Sequence, residues 1–273
     1  DGLVIGEELH THGEMDAVLS AYVEAVLKNK NRKLSPVWLS GLECMLDSYL
    51  GDYPASFEYD GTEYTPESFA DMLGLDMSNY VELTSYTHHP FYSTFVLEIP
   101  DNWMHSIVYN LPLDELMEVF DYAIDKGYTI AWGADVSDKG FSWKNGVAIV
   151  PDADVEDMSG TEKEKWEALT TKEKEKSLYS FEGPGAEKEI TQEMRQEAFD
   201  NFQTTDDHGM LISGTAKDQD GNMYYIVKNS WGVTGNDYKG YFYASVPYVK
   251  YKTMSIMLHK EAIPKDIRNK LGL

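Results

Sequence analysis

The sequence predicts an α+β protein, and three observations predict it. Apolar residues recur at helical spacing through the first third, the last third is a succession of short β-rich runs, and a charged, aperiodic stretch lies between them. Of the 273 residues, 42% are hydrophobic and 13% aromatic, enough for one large domain or two small ones with real cores. A disordered or fibrous chain is excluded.

The elements follow in order. Met15, Val18, Leu19, Tyr22, Val26 and Leu27 mark one apolar stripe of a helix between Glu14 and Asn29. Ser35 as a cap and Pro36 at the first helical position open a second helix, Val37 to Leu50, which Gly51 ends. Phe57 to Tyr64 alternates about a hairpin turn at Asp60-Gly61, and Thr65-Pro66-Glu67-Ser68 starts a short helix that stops at Gly74. Thr94 to Ile99 reads as a strand, Leu113 to Lys126 as an amphipathic helix closed by Gly127, and Tyr128 to Ala134 as a buried strand. That helix then links two strands of one sheet. Residues 151–189 exchange apolar periodicity for mixed Glu and Lys, as expected of a solvated excursion with short exposed helices. Thr191 to Phe202 is helical again. Met210 to Ala216, Met223 to Lys228, Tyr241 to Ser245 and Thr253 to His259 read as strands of an antiparallel sheet. The expected organisation is a mainly helical region, 1–90, and a sheet domain, 91–273.

Charge narrows the partners. Lys plus Arg is 23 and Asp plus Glu is 47, a formal charge of −24, which repels phosphate backbones and anionic lipid heads. Neither nucleic acid nor a membrane is an expected partner. The one cysteine, Cys44, excludes an internal disulfide and leaves the compartment open. No run approaches the eighteen or so apolar residues of a membrane span, and Asp1 to His10 is neither basic nor apolar, so no targeting segment is read in the sequence. Beginning at Asp1 without a methionine, the sequence is expected to be a processed product or a fragment.

The residues with chemistry cluster at one hairpin. Asp220-Gly221 reverses the chain between two apolar runs, which is expected to place Asn229 opposite about Ile212 and His208 two strand positions beyond, at the same open end. A carboxamide bonded to one imidazole nitrogen fixes the ring and its tautomer and leaves the other nitrogen to serve a nucleophile. A surface hydrogen bond between strand ends is the alternative use of such a pair.

Asp207-His208-Gly209-Met210, Lys228-Asn229-Ser230-Trp231-Gly232 and Gly240-Tyr241-Phe242-Tyr243 resemble the histidine and asparagine segments of papain-like cysteine peptidases. Upstream, Leu83 to Tyr92, Ile99-Pro100-Asp101-Asn102-Trp103, Tyr109 to Glu115 and Ala131 to Ser137 are similar to the bleomycin hydrolase and aminopeptidase C branch, in patches from about Tyr49 to Tyr251. The resemblance implies a papain-like fold, a helical part plus an antiparallel sheet or barrel part, with a large helical insertion. It implies a cysteine-type aminopeptidase acting on peptide N-termini without metal or organic cofactor, in the cytoplasm, export remaining open, with the family's hexameric ring. Carried over, His208 is the general base and thiolate partner, Asn229 orients it, Trp231 shields their bond, Gly209 supports the histidine segment, and the carboxylate of Leu273 is a candidate cap for a substrate's amino terminus. The ending Ile263 to Leu273 departs from the family's usual arm, and a basic surface helix or tail is the other reading of it.

The nucleophile departs further. The family's reactive cysteine begins a helix after a glutamine and a glycine-rich loop, whereas Cys44 lies inside the helix Val37 to Leu50, where no backbone N–H is free. No match to the oxyanion glutamine occurs. The expectation is that the cysteine belongs to an N-terminal segment missing from this chain, or to a separate chain, and that this chain alone is inactive. A catalytically dead papain-like protein that binds peptides or serves as a scaffold is the alternative.

Other candidates are weaker. His10 and His12 beside Glu7, Glu8 and Glu14 lack the spacing of a zinc helix. His88-His89 reads as a loop feature that packs and hydrogen-bonds, and Asp218, Asp220 and Asn222 as a turn, since no bidentate Glu follows at calcium-loop spacing. No metal is expected.

Overall fold

The computed structural model describes residues 11–30, 33–51, 53–152 and 160–273. These divide into two units, 11–75 and 76–273.

The first unit is a helix pair and a hairpin. Helix α1 (His12–Leu27) lies against α2 (Val37–Leu50), and the Tyr22 hydroxyl donates to the Trp38 carbonyl at 2.9 Å. Strands β1 (Phe57–Tyr59) and β2 (Thr62–Tyr64) turn at Asp60-Gly61, both with positive φ, the backbone a two-residue hairpin loop requires. Helix α3 (Pro66–Leu73) starts with a Thr65–Ser68 capping box and seats Phe69 against the rings of Phe57, Tyr59 and Tyr64. Nothing in α2 or α3 is fully buried.

The second unit carries the apolar core. Its chain order is β3 (Tyr80–Thr84), β4 (Thr94–Val96), β5 (Ile107–Asn110), α4 (Leu113–Asp125), β6 (Ile130–Ala134), β7 (Phe141–Ser142) and β8 (Val147–Ala148). Then come α5 (Gly160–Ala168), α6 (Thr171–Leu178), α7 (Gln192–Asp200), β9 (His208–Lys217), β10 (Met223–Lys228), β11 (Tyr241–Ser245), α8 (Val246–Lys252), β12 (Thr253–His259) and α9 (Lys265–Leu271). Among the described residues these strands form one sheet of ten, ordered β4-β5-β3-β12-β6-β9-β10-β11-β8-β7. The class is α+β, as expected.

The domain boundary shifts from the expected 90/91 to 75/76, because β3 pairs with β12 and β5 and so belongs to the main sheet. Nor is the sheet wholly antiparallel: β3 with β5 and β8 with β11 run parallel. Two short helices, α5 and α6, lie in the charged excursion, and 153–159 fall outside the described residues.

Helix α4 forms because its apolar residues fall on one face, and it buries Leu113, Leu116, Met117, Val119, Phe120 and Ala123. This face joins a core with Ile130, Trp132, Ile212, Tyr225, Val227, Phe242 and Ile256. Phe120 is wholly buried, with its ring 5.4 Å from that of Tyr225, so Phe120→Ala leaves a cavity under the strands that carry the candidate site. Urea titration should show a loss of about 3–5 kcal/mol for Phe120→Ala with the m-value unchanged.

Candidate functional site

Strand β9 begins at His208, and strand β10 ends one residue before Asn229. The ladder pairs Val227 with Ile212 and Lys228 with Leu211, two residues away from the register expected for Asn229. A bulge accounts for part of the difference: Ile226 faces Gly214 and Val227 faces Ile212, so Ser213 is left over on β9. The side chains still meet. His208 Nε2 lies 2.7 Å from Asn229 Oδ1.

The amide's orientation follows from its second partner. The backbone N–H of Ser230 donates to the same atom of Asn229 at 2.7 Å, and a backbone donor requires an oxygen there. With oxygen facing His208, the ring nitrogen must donate, so Nε2 carries the proton. In the neutral ring the lone pair is therefore on Nδ1. Asn229 is only 2% exposed, which removes competing water from the bond, and its buried Nδ2 has no hydrogen-bond partner among the described residues.

Trp231 completes the arrangement. Its ring lies 4.9 Å from the imidazole at 31°, and it is itself held edge-on by Trp143 at 5.5 Å and Phe141 at 5.7 Å. Phe141 rests in turn on buried Phe242 at 5.1 Å. Trp231 remains 45% exposed, so it covers one side of the histidine and leaves another open to solvent.

The loop after Asn229 is stapled by Asn236. Its Nδ2 donates to the carbonyls of Trp143 and Tyr241 at 2.9 and 3.0 Å, and its Oδ1 accepts from the N–H groups of Tyr238 and Gly240. Gly240 has φ +82° and admits no side chain: a Cβ there would come within 2.6 Å of both the Gly232 carbonyl oxygen and Lys228 Nζ. Phe141, Trp143 and Asn236 were not expected from the sequence. Their signal was the aromatic pair Phe141-x-Trp143 and a buried-type Asn in a Gly-rich loop, which acquire meaning only when the fold brings them to Trp231.

The segment entering β9 is rich in carboxylates. Asp207 accepts from the Thr205 hydroxyl at 2.7 Å and the Ser137 N–H at 3.1 Å, which hold its carboxyl below the usual range against partial burial. Asp206 has less help, a backbone hydrogen bond from Asp101. Burial, then the charges of Asp101, Asp207 and Glu82, push it up to about 6.

The expected site residues sort as follows. His208, Asn229 and Trp231 come together. Gly209 pairs with Gly133 in the β6–β9 ladder, and a Cβ added to it would touch nothing, so no close approach demands glycine there. Leu273 follows α9, which buries Ile267 and Leu271, and packs against the main core. That placement lends nothing to a substrate cap, and the ending is a docked helix rather than a tail. Cys44 is exposed in the middle of α2, its carbonyl accepting from the Ser48 hydroxyl.

No group of three or more His, Cys, Asp or Glu among the described residues is arranged to hold a metal. Glu7, Glu8 and His10 lie outside those residues. His88 stacks on Phe199 and contacts Gln196, and His89 stacks on Phe95. Asp218 closes its own turn by accepting from the N–H groups of Asp220 and Asn222.

Comparison with known proteins bears on this geometry. The profile of the Peptidase C1-like family matches residues 185–272, the stretch that holds both His208 and Asn229. The crystal structure of PepW from Lactobacillus rhamnosis HN001 superposes with a TM-score of 0.62 at 18% identity, over 95% of this chain. The fold is papain-like. The chain spans 58% of the length of the PepW chain. No curated protein matches the sequence. No helix among the described residues is long and apolar enough to cross a membrane.

Asp206 supplies a test of the electrostatics. A carboxyl whose folded value is about 6 binds a proton more tightly in the native than in the unfolded chain, so its contribution to stability is present below pH 4 and is lost as pH rises through 6. Asp206→Asn should flatten that descending limb in a thermal-melt series from pH 4 to 7 and raise the Tm at pH 7.

Proposed function

We propose that this chain is the base-bearing part of a cysteine peptidase of the bleomycin hydrolase and aminopeptidase C branch, which removes residues from peptide N-termini. The carrying observation is the shared acceptor Asn229 Oδ1, which leaves the lone pair of His208 on Nδ1. The family profile over 185–272 and the papain-like fold support the reading.

The nucleophile is a cysteine on a segment outside this sequence, with a glutamine donor for the oxyanion. The thiol passes its proton to His208 Nδ1, and the thiolate attacks the substrate carbonyl carbon. The imidazolium returns that proton to the departing amine as the C–N bond breaks, leaving a thioester. Water then gives a proton to Nδ1 and attacks the acyl carbon, and the thiolate leaves as the acid is released. Throughout, Asn229 keeps the ring aimed, and Trp231 limits the water that reaches the Nε2–H bond. A hexameric assembly and a cytoplasmic location, where a thiol stays reduced, belong to the same proposal.

A protein that includes the upstream segment should cleave aminoacyl fluorogenic substrates, with a bell-shaped pH profile. His208→Ala should lower kcat/KM by at least about 10³-fold, Asn229→Ala less, and Cys44→Ala should leave it unchanged. The 273-residue chain alone should not turn over. Activity of this chain that Cys44→Ala abolishes overturns the assignment. An inert longer protein that still binds peptides favours a papain-like scaffold.

A further inference from the structure

Lys252, the last residue of α8, is 1% exposed, and its ammonium makes three polar contacts besides lying over the Tyr251 ring. It lies 3.2 Å from Asp135 Oδ2, 3.0 Å from Asp138 Oδ2 and 2.7 Å from the carbonyl of Gln203. Asp135, 2% exposed, is used as fully: Oδ1 accepts from the N–H and hydroxyl of Ser137, and Oδ2 from the Thr205 N–H at 3.2 Å as well as from Lys252. Its backbone is held too, by the Tyr248 hydroxyl on its carbonyl and by its N–H on the Lys252 carbonyl.

A buried ion pair is a poor source of stability, because removing two charges from water costs about what their attraction returns. What this one supplies is direction. Its hydrogen bonds seize Gln203 and Thr205, the residues that lead the chain into His208. Asp135 itself follows Ala134, which pairs with His208 in the β6–β9 ladder. Both chain segments that fix the Cα of the histidine are therefore tied to one buried cation. An apolar contact would fill the same space and leave both segments free to slide, and a displacement on the order of 1 Å at a catalytic group is costly.

We infer that Lys252 and Asp135 are positioning residues for the His208 imidazole, acting through the 203–205 segment to hold Nε2 within bonding distance of Asn229. The inference rests on His208 being the base, and it deepens that reading.

The readout is the His208 Nε2–H resonance in ¹H–¹⁵N spectra of the chain, which reports the bond to Asn229 directly. Three variants are compared: D135N, which keeps the shape but removes the charge and turns one of the two acceptor oxygens into a donor; K252M; and K252M/D135N, which leaves no charge on either member of the pair. In each folded variant the Nε2–H signal should broaden, or exchange with solvent at least about tenfold faster, while amides of the β10–β11 ladder keep their protection. In the active longer protein, D135N should lower kcat at least about tenfold with KM nearly unchanged, since the ring and not the substrate groove is disturbed. A wild-type Nε2–H signal in K252M/D135N overturns the inference. Failure of all three variants to fold also overturns it, by making the pair a determinant of the whole sheet. Full activity in His208→Ala would instead sink the functional reading, whatever the spectra show.

Discussion

One carboxamide oxygen governs the site. Asn229 Oδ1 accepts from a backbone N–H next to it and from an imidazole that is 21 residues away along the chain, both at 2.7 Å. The first contact sets which end of the amide is oxygen, and the second then sets which nitrogen of the ring is protonated. A tautomer, ordinarily a free variable of a histidine, becomes a consequence of backbone geometry. The surrounding structure protects that oxygen: a 2% exposed asparagine, an indole over the ring, and two further aromatic rings behind the indole.

Much of this was legible along the chain. Strands β10, β11 and β12 and helix α2 fall where turn residues and apolar runs place them, because Asp220-Gly221, Gly240 and Gly51 interrupt the pattern sharply. The meeting of His208 and Asn229 was legible too, since a hairpin that reverses within the five residues Asp218 to Asn222 leaves little freedom at its open end. The register was not. The bulge at Ser213 has no local signature in a run that alternates cleanly, and it is set by how β9 must serve β6 on one side and β10 on the other.

Contacts between residues distant in sequence were hidden for the same reason. Tyr80 to Thr84 looks like a connector until β12, more than 170 residues later, offers it a partner. Lys252 sits in Lys-Tyr-Lys, which reads as a solvated helix end, yet it is among the most buried side chains of the protein. Its burial is possible because two aspartates of one loop and a carbonyl of a second segment converge on it. Polar residues that are buried and fully bonded are the hardest class to read from sequence, since each is defined by partners found elsewhere.

The sheet's outermost strands carry a consequence of their own. On one margin β7 is two residues long and on the other β4 is three, so each offers an incoming chain only a few unpaired amides before the template runs out. With a strongly negative surface added, ribbon-like growth from strand to strand is starved at both margins. Among the described residues, the ten-stranded sheet thus presents no long, flat rim of the kind that templates fibrils.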